Sequence, residues 1–130
     1  MSLRSDLGKV RGLGSAKEGV AHWWAQRLTA IALVPLVLWF VAGIAGMAGA
    51  DLAAVRGWIA NPVTAVLLVL LIGTAFHHAQ LGLQVVIEDY VHSEGCKLAG
   101  IILIKFLAVA LAAAGIFSVL KIAFRATLGG

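Results

Sequence analysis

Residues 62–87 read PVTAVLLVLLIGTAFHHAQLGLQVVI, with no Asp, Glu, Lys or Arg among them. An α-helix needs about 20 such residues to cross the hydrocarbon of a bilayer. A barrel strand would alternate apolar and polar residues, and this segment does not. A helix also satisfies its own backbone hydrogen bonds, which any open segment in lipid must do. Two further apolar segments flank it, residues 28–49 and 98–124. The fold class that follows is an all-α membrane protein with three transmembrane helices.

Composition supports this reading. Of the 130 residues, 62% are hydrophobic and 12% charged, whereas an ordinary soluble domain carries about 25% charged residues. A chain this short cannot hide so much apolar surface in one core of its own. The net charge is +4, and Arg4, Lys9, Arg11, Lys17 and Arg27 all precede the first apolar run. Beside a hydrophobic segment, such a cluster is a topology signal that keeps the N-terminus in the cytoplasm, rather than a nucleic-acid site. The first run starts too late and is too long for a cleavable signal peptide. Cys96 is the only cysteine, so an intrachain disulfide and a cysteine metal cluster are both excluded.

The expected organisation is a basic arm with the start of helix one (1–27), a first membrane helix (28–49) and a periplasmic loop (50–61). A second membrane helix (62–87), a cytoplasmic loop (88–97), a third membrane helix (98–124) and a short tail (125–130) follow. Ser15 and Glu18 fit a capping box. Trp23 and Trp24 suit an aromatic belt. Pro35 lacks an amide donor and is expected to kink helix one. Asn61-Pro62 marks a turn and restart. Three crossings from a cytoplasmic N-terminus put the C-terminus in the periplasm, against which Lys121 and Arg125 argue.

The chemistry concentrates on the second helix and its exit. Ionisable residues inside a membrane helix are costly and mark functional candidates. His77 and His78 can hydrogen-bond a neighbouring helix, relay protons or ligate haem iron, and the pattern alone leaves these open. His78, Gly82, Val85 and Asp89 fall on one helical stripe, and His77, Gln80, Gln84 and Glu88 on an adjacent polar one. Gly82 lacks a side chain one turn beyond His78, so a flat macrocycle or another backbone can approach there. One histidine cannot complete a six-coordinate haem, so a second ligand would come from a partner chain. Asp89 and Tyr90 lie about 18 Å along the helix from His78, at the membrane interface. They read either as a belt tyrosine beside a capping carboxylate or as a phenol that hydrogen-bonds a quinone carbonyl. Lys105 sits inside helix three and can snorkel to the headgroups or pair with Glu88, Asp89 or a haem propionate.

These residues carry a resemblance. A histidine, a glycine four residues on and an Asp-Tyr pair at the helix exit are the pattern of His78, Gly82, Asp89 and Tyr90. Arg27, with Thr29, Ala30 and Ile31 after Leu28, stands where an arginine and Thr-Ala-Ile open helix one. With the basic N-terminus and three membrane helices, the chain resembles the smaller, D-type membrane-anchor subunits of succinate dehydrogenase, respiratory complex II. The stretch from Gly14 to Trp24 is similar to alphaproteobacterial members in particular, and the likeness spans nearly the whole chain.

The resemblance implies a bacterial inner-membrane subunit in a heteromeric helix bundle. Its partners would be a flavoprotein, an iron–sulfur subunit and a larger cytochrome b anchor, besides membrane lipid, with no nucleic acid. His78 would ligate the iron of haem b, shared with a histidine of the larger anchor, and Gly82 would give the haem room. Arg27 would neutralise a propionate. Some relatives place a histidine where this chain has Ala21, which leaves the adjacent His22, about 100° round the helix, as a secondary propionate contact. Tyr90, supported by Asp89, would hydrogen-bond ubiquinone. The chain would be part of an oxidoreductase without being catalytic alone. The alternatives are a fumarate reductase anchor and a cofactor-free assembly or channel subunit.

Overall fold

The computed structural model describes residues 16–129, with side chains from residue 19 onward. The expected Ser15–Glu18 capping box and the basic residues before Gly19 lie outside the described side chains. Four helices follow in order: α1 (Ala16–Gly46), α2 (Leu52–Ala60), α3 (Pro62–Tyr90) and α4 (Glu94–Thr127). α1, α3 and α4 are long and apolar enough to cross a membrane. At 1.5 Å per residue α3 is about 44 Å long, against about 30 Å of hydrocarbon, so its ends reach the interfaces. The chain is a multi-pass membrane protein.

The helix boundaries follow local chemistry. α1 runs through Trp23 and Trp24 without a break, and Pro35 lies inside it without ending it. It closes in a turn at Gly49, whose φ of 81° is a left-handed value that favours glycine. Asn61 caps α3 by accepting from the amides of Val63 (3.0 Å) and Thr64 (3.4 Å), with Pro62 in the first turn. α3 continues three residues past the expected Ile87, so Glu88, Asp89 and Tyr90 occupy its last turn instead of a loop. α4 likewise begins at Glu94, before the expected Leu98.

The segment 50–61, expected as a loop, contains α2. Asp51 caps it by accepting from the Ala54 amide at 2.8 Å. Tertiary packing holds it in place. Trp58 stacks on Trp39 of α1 with ring centroids 5.6 Å apart. It also lies so close to Gly43 that a Cβ there would meet its ring at 2.6 Å.

α3 is the central helix. It packs along both α1 and α4, while no Cα of α1 comes within 8 Å of one in α4 among the described residues. The α3–α4 seam uses small residues: Gly100 receives Ile87 and Gly115 receives Ile72. The interior is thin. Only Thr64, Ala65, Leu68, Leu81 and Val119 are buried among the described residues. Ile31, Val34, Leu38 and Val41 of α1 and Phe106, Val109 and Phe117 of α4 are exposed apolar faces. In a bilayer such faces meet lipid or other membrane helices.

Candidate functional site

The α1–α3 seam carries a polar line. His22, Gln26 and Thr29 recur at i, i+4 and i+7 and therefore share one face of α1. That face meets α3. Thr29 Oγ1 lies 2.9 Å from His78 Nδ1, and the Gln26 amide nitrogen lies 3.7 Å from where a Gly82 Cβ would stand. The antiparallel register thus sets Thr29 against His78 and, one turn on, Gln26 against Gly82. The space that Gly82 leaves is met on this side by a side chain of α1.

Two polar atoms on this line are buried and have no hydrogen-bond partner among the described residues: His22 Nε2 and Gln26 Oε1. A buried polar atom without a partner is costly, so such atoms point to a bonding group beyond the described residues. Thr29 is well bonded. Its hydroxyl is 2.7 Å from the Ala25 carbonyl and 3.0 Å from that of Gln26.

The two neighbouring histidines differ in surroundings. His78 is half-buried against α1, whereas His77 is exposed. The adjacent polar stripe is a ladder on the surface of α3. Gln80 donates to Gln84 at 3.2 Å and Gln84 donates to Glu88 at 3.0 Å, and His77 takes no part in it.

Arg27 points to another side of α1. Its guanidinium carbon sits 4.9 Å from the centre of the Trp23 ring, a cation–π contact. Trp23 in turn meets Trp24 edge-on at 4.9 Å. Gly19, Val20, Trp23 and Trp24 line an open cleft at this end of α1.

Asp89 and Tyr90 are exposed, Tyr90 to 77%. The register of α1 on α3 carries Tyr90 past Trp23 and Trp24, which lie nearer the level of Val85, toward the start of α1. Within the described part of this chain, nothing covers the phenol. On the other side of α3, the Ile87–Gly100 and Ile72–Gly115 contacts set Lys105 level with Gly82. That leaves Lys105 about 9–10 Å along the axis from Glu88 and Asp89. Among the described residues it pairs with neither carboxylate; the ion pair there is Lys97–Glu94 at 3.6 Å.

Two groupings escaped sequence reasoning. Gln26 and the partnership of Thr29 with His78 belong to the seam, and the i, i+4, i+7 polar stripe was the available signal. Arg56 of α2 and Lys121 and Arg125 of α4 share an open cleft of about 620 Å³ at the opposite end. Sequence separation conceals that grouping. No cluster of three or more His, Cys, Asp or Glu able to hold a metal ion occurs among the described residues.

Comparison with known proteins bears on these residues. Residues 1–112 match a family model described as succinate dehydrogenase/fumarate reductase transmembrane subunit. The chain is similar to the succinate dehydrogenase hydrophobic membrane anchor subunit of Rickettsia bellii (strain RML369-C), with 34% identity across 82% of this chain and 85% of that one. It is 30% identical to the succinate dehydrogenase membrane anchor subunit of Reclinomonas americana across 72% and 80% of the two chains. It is 29% identical to the hydrophobic membrane anchor subunit of Paracoccus denitrificans across 90% of each.

Proposed function

Because the chain belongs to the family of succinate dehydrogenase/fumarate reductase transmembrane subunits, we propose that it anchors a succinate dehydrogenase in the bacterial inner membrane, co-ligates haem b and contributes to a ubiquinone site. The partners in this reading are the flavoprotein, the iron–sulfur subunit and the larger anchor. They carry the flavin and iron–sulfur chemistry, since this chain has no Gly-rich dinucleotide fingerprint and one cysteine.

The observation that carries the haem reading is the setting of His78. Its Nδ1 is engaged by Thr29 at 2.9 Å, and its other ring nitrogen receives no hydrogen bond among the described residues. Imidazole nitrogen is an iron donor in haem proteins. The residues fit the group, and the buried His22 Nε2 and Gln26 Oε1 on the same seam, without a partner among the described residues, call for a polar partner beyond them. His78 would hold the iron, together with a histidine of the larger anchor. Arg27, with His22 secondary, would face propionate, and Gly82 would keep the neighbouring turn free of bulk. When bound, the haem would supply one-electron storage.

Tyr90 and Asp89 are the quinone residues of this reading. A phenol exposed at a helix end donates a hydrogen bond to a quinone carbonyl, and the bond strengthens as charge builds on reduction. Asp89 projects about 100° away and supports Tyr90 through a network rather than touching the same atom. The orientation that accompanies this reading puts the N-terminus and the α3–α4 turn in the cytoplasm and the C-terminus in the periplasm.

The test is a reduced-minus-oxidised optical spectrum of the complex purified through a tag on this chain. A b-type band that co-purifies with succinate–quinone activity is the expected result. A preparation with neither haem nor dehydrogenase subunits would return the chain to the cofactor-free class.

A further inference from the structure

We propose that Thr29 is the positioning residue that sets the tautomer of His78, accepting a hydrogen bond from Nδ1–H so that Nε2 keeps its lone pair. This rests on the reading of His78 as an iron ligand and adds to it which nitrogen binds and what holds the ring.

The argument is a count of protons. A threonine hydroxyl has one hydrogen to donate and two lone pairs to accept with. Oγ1 of Thr29 stands 2.7 Å from the Ala25 carbonyl oxygen and 3.0 Å from that of Gln26. Carbonyl oxygens only accept. Were the hydroxyl proton aimed at His78, two oxygen lone pairs would face each other across 2.7 Å. The proton therefore goes to a carbonyl, the back-bonded arrangement common for threonine inside a helix. What Oγ1 offers His78 at 2.9 Å is a lone pair, so Nδ1 must carry the hydrogen. A neutral imidazole has one N–H, which leaves Nε2 unprotonated.

The geometry also restricts the ring. Thr29 is β-branched, and its χ1 is held by the carbonyl it bonds one turn back. The ring is tied to α1 at Nδ1, with its Cβ on α3. A hydrogen bond from the distal ring nitrogen raises the basicity of the ligating one, as outer partners of metal-bound histidines do. A more basic axial ligand favours ferric over ferrous iron.

The experiment compares Thr29→Val and Thr29→Ser in the intact complex. Valine keeps the shape and branching and removes the acceptor, whereas serine keeps the hydroxyl. Thr29→Val should raise the haem midpoint potential and weaken haem retention, measured by transfer to excess apomyoglobin, by about 10–100-fold. Thr29→Ser should restore both. Unchanged potential and retention in Thr29→Val overturns the proposal, and so does a serine variant that behaves like valine, which would assign the effect to the methyl group. Should the valine variant fail to assemble, the unaltered complex decides. In the dithionite-reduced, ¹⁵N-histidine-labelled protein, His78 Nδ1 should carry a bonded proton, and a bare Nδ1 overturns the proposal. His78→Ala separates the two readings. A native haem spectrum in that variant removes the ligand assignment, whereas its loss beside an indifferent Thr29→Val removes only the role of Thr29.

Discussion

Thr29 and His78, 49 residues apart in sequence, meet at 2.9 Å across the α1–α3 seam, while His77 beside it is exposed. One peptide bond thus separates a histidine held by another helix from one that faces outward. In the haem reading the two substitutions have opposite outcomes. His78→Ala abolishes the low-spin bis-histidine spectrum, and His77→Ala leaves it intact. Optical and electron paramagnetic resonance spectra of the two variants check this, and loss in His77→Ala alone would move the assignment.

The exposed phenol of Tyr90 carries a second prediction. In the quinone reading, removing its one hydrogen bond costs about 1–3 kcal/mol, or about one to two decades in rate. Tyr90→Phe should lower succinate–quinone reductase activity by that amount. Succinate oxidation by an artificial acceptor upstream of the quinone site should persist, with normal haem content. A parallel fall in both activities would make Tyr90 a structural residue.

The thin interior predicts dependence on partners. With five residues buried among those described and two polar atoms of the α1 seam unpartnered, this chain expressed alone should be degraded or aggregated. Co-expressed, it should be recovered with flavoprotein, iron–sulfur and larger anchor subunits. Pull-down and mass spectrometry are the measurement, and a stable, active single-chain species would contradict it.

Orientation can be read with the chain's own cysteine. Cys96 is exposed at the start of α4. Arg27, Lys97 and Lys105 lie toward that end, while Arg56, Lys121 and Arg125 share the cleft at the other. A membrane-impermeant maleimide should label Cys96 in inside-out vesicles and not in right-side-out ones. The reverse would invert the topology.

The α3–α4 seam is tight enough to test by packing. A Cβ on Gly115 would lie 3.2 Å from Ile72. Gly115→Val should therefore force the helices apart at a cost of about 1–3 kcal/mol. A lower thermal midpoint of the complex, without change in the haem spectrum, is the expected result.

Much of this molecule is determined by its sequence alone. The three spans follow from apolar length, because lipid leaves a chain segment no alternative to the helix. The cap at Asn61-Pro62 is local chemistry in the same sense. His78, Asp89 and Tyr90 stand out because charged or polar residues in such a helix need a reason to be there, and Gly82 because it leaves space one turn beyond His78. Tertiary structure decided the rest. α2 forms within a segment that reads as a loop, since its Trp58 has a stacking partner 19 residues earlier in Trp39. Lys105 is kept from Glu88 and Asp89 by the register of two helices, which small residues such as Gly100 and Gly115 set through their contacts. The same holds for the bond between Thr29 and His78. Periodicity tells which residues share a face of one helix, but the axial offset between two helices depends on packing across the seam, and that offset decides which residues meet.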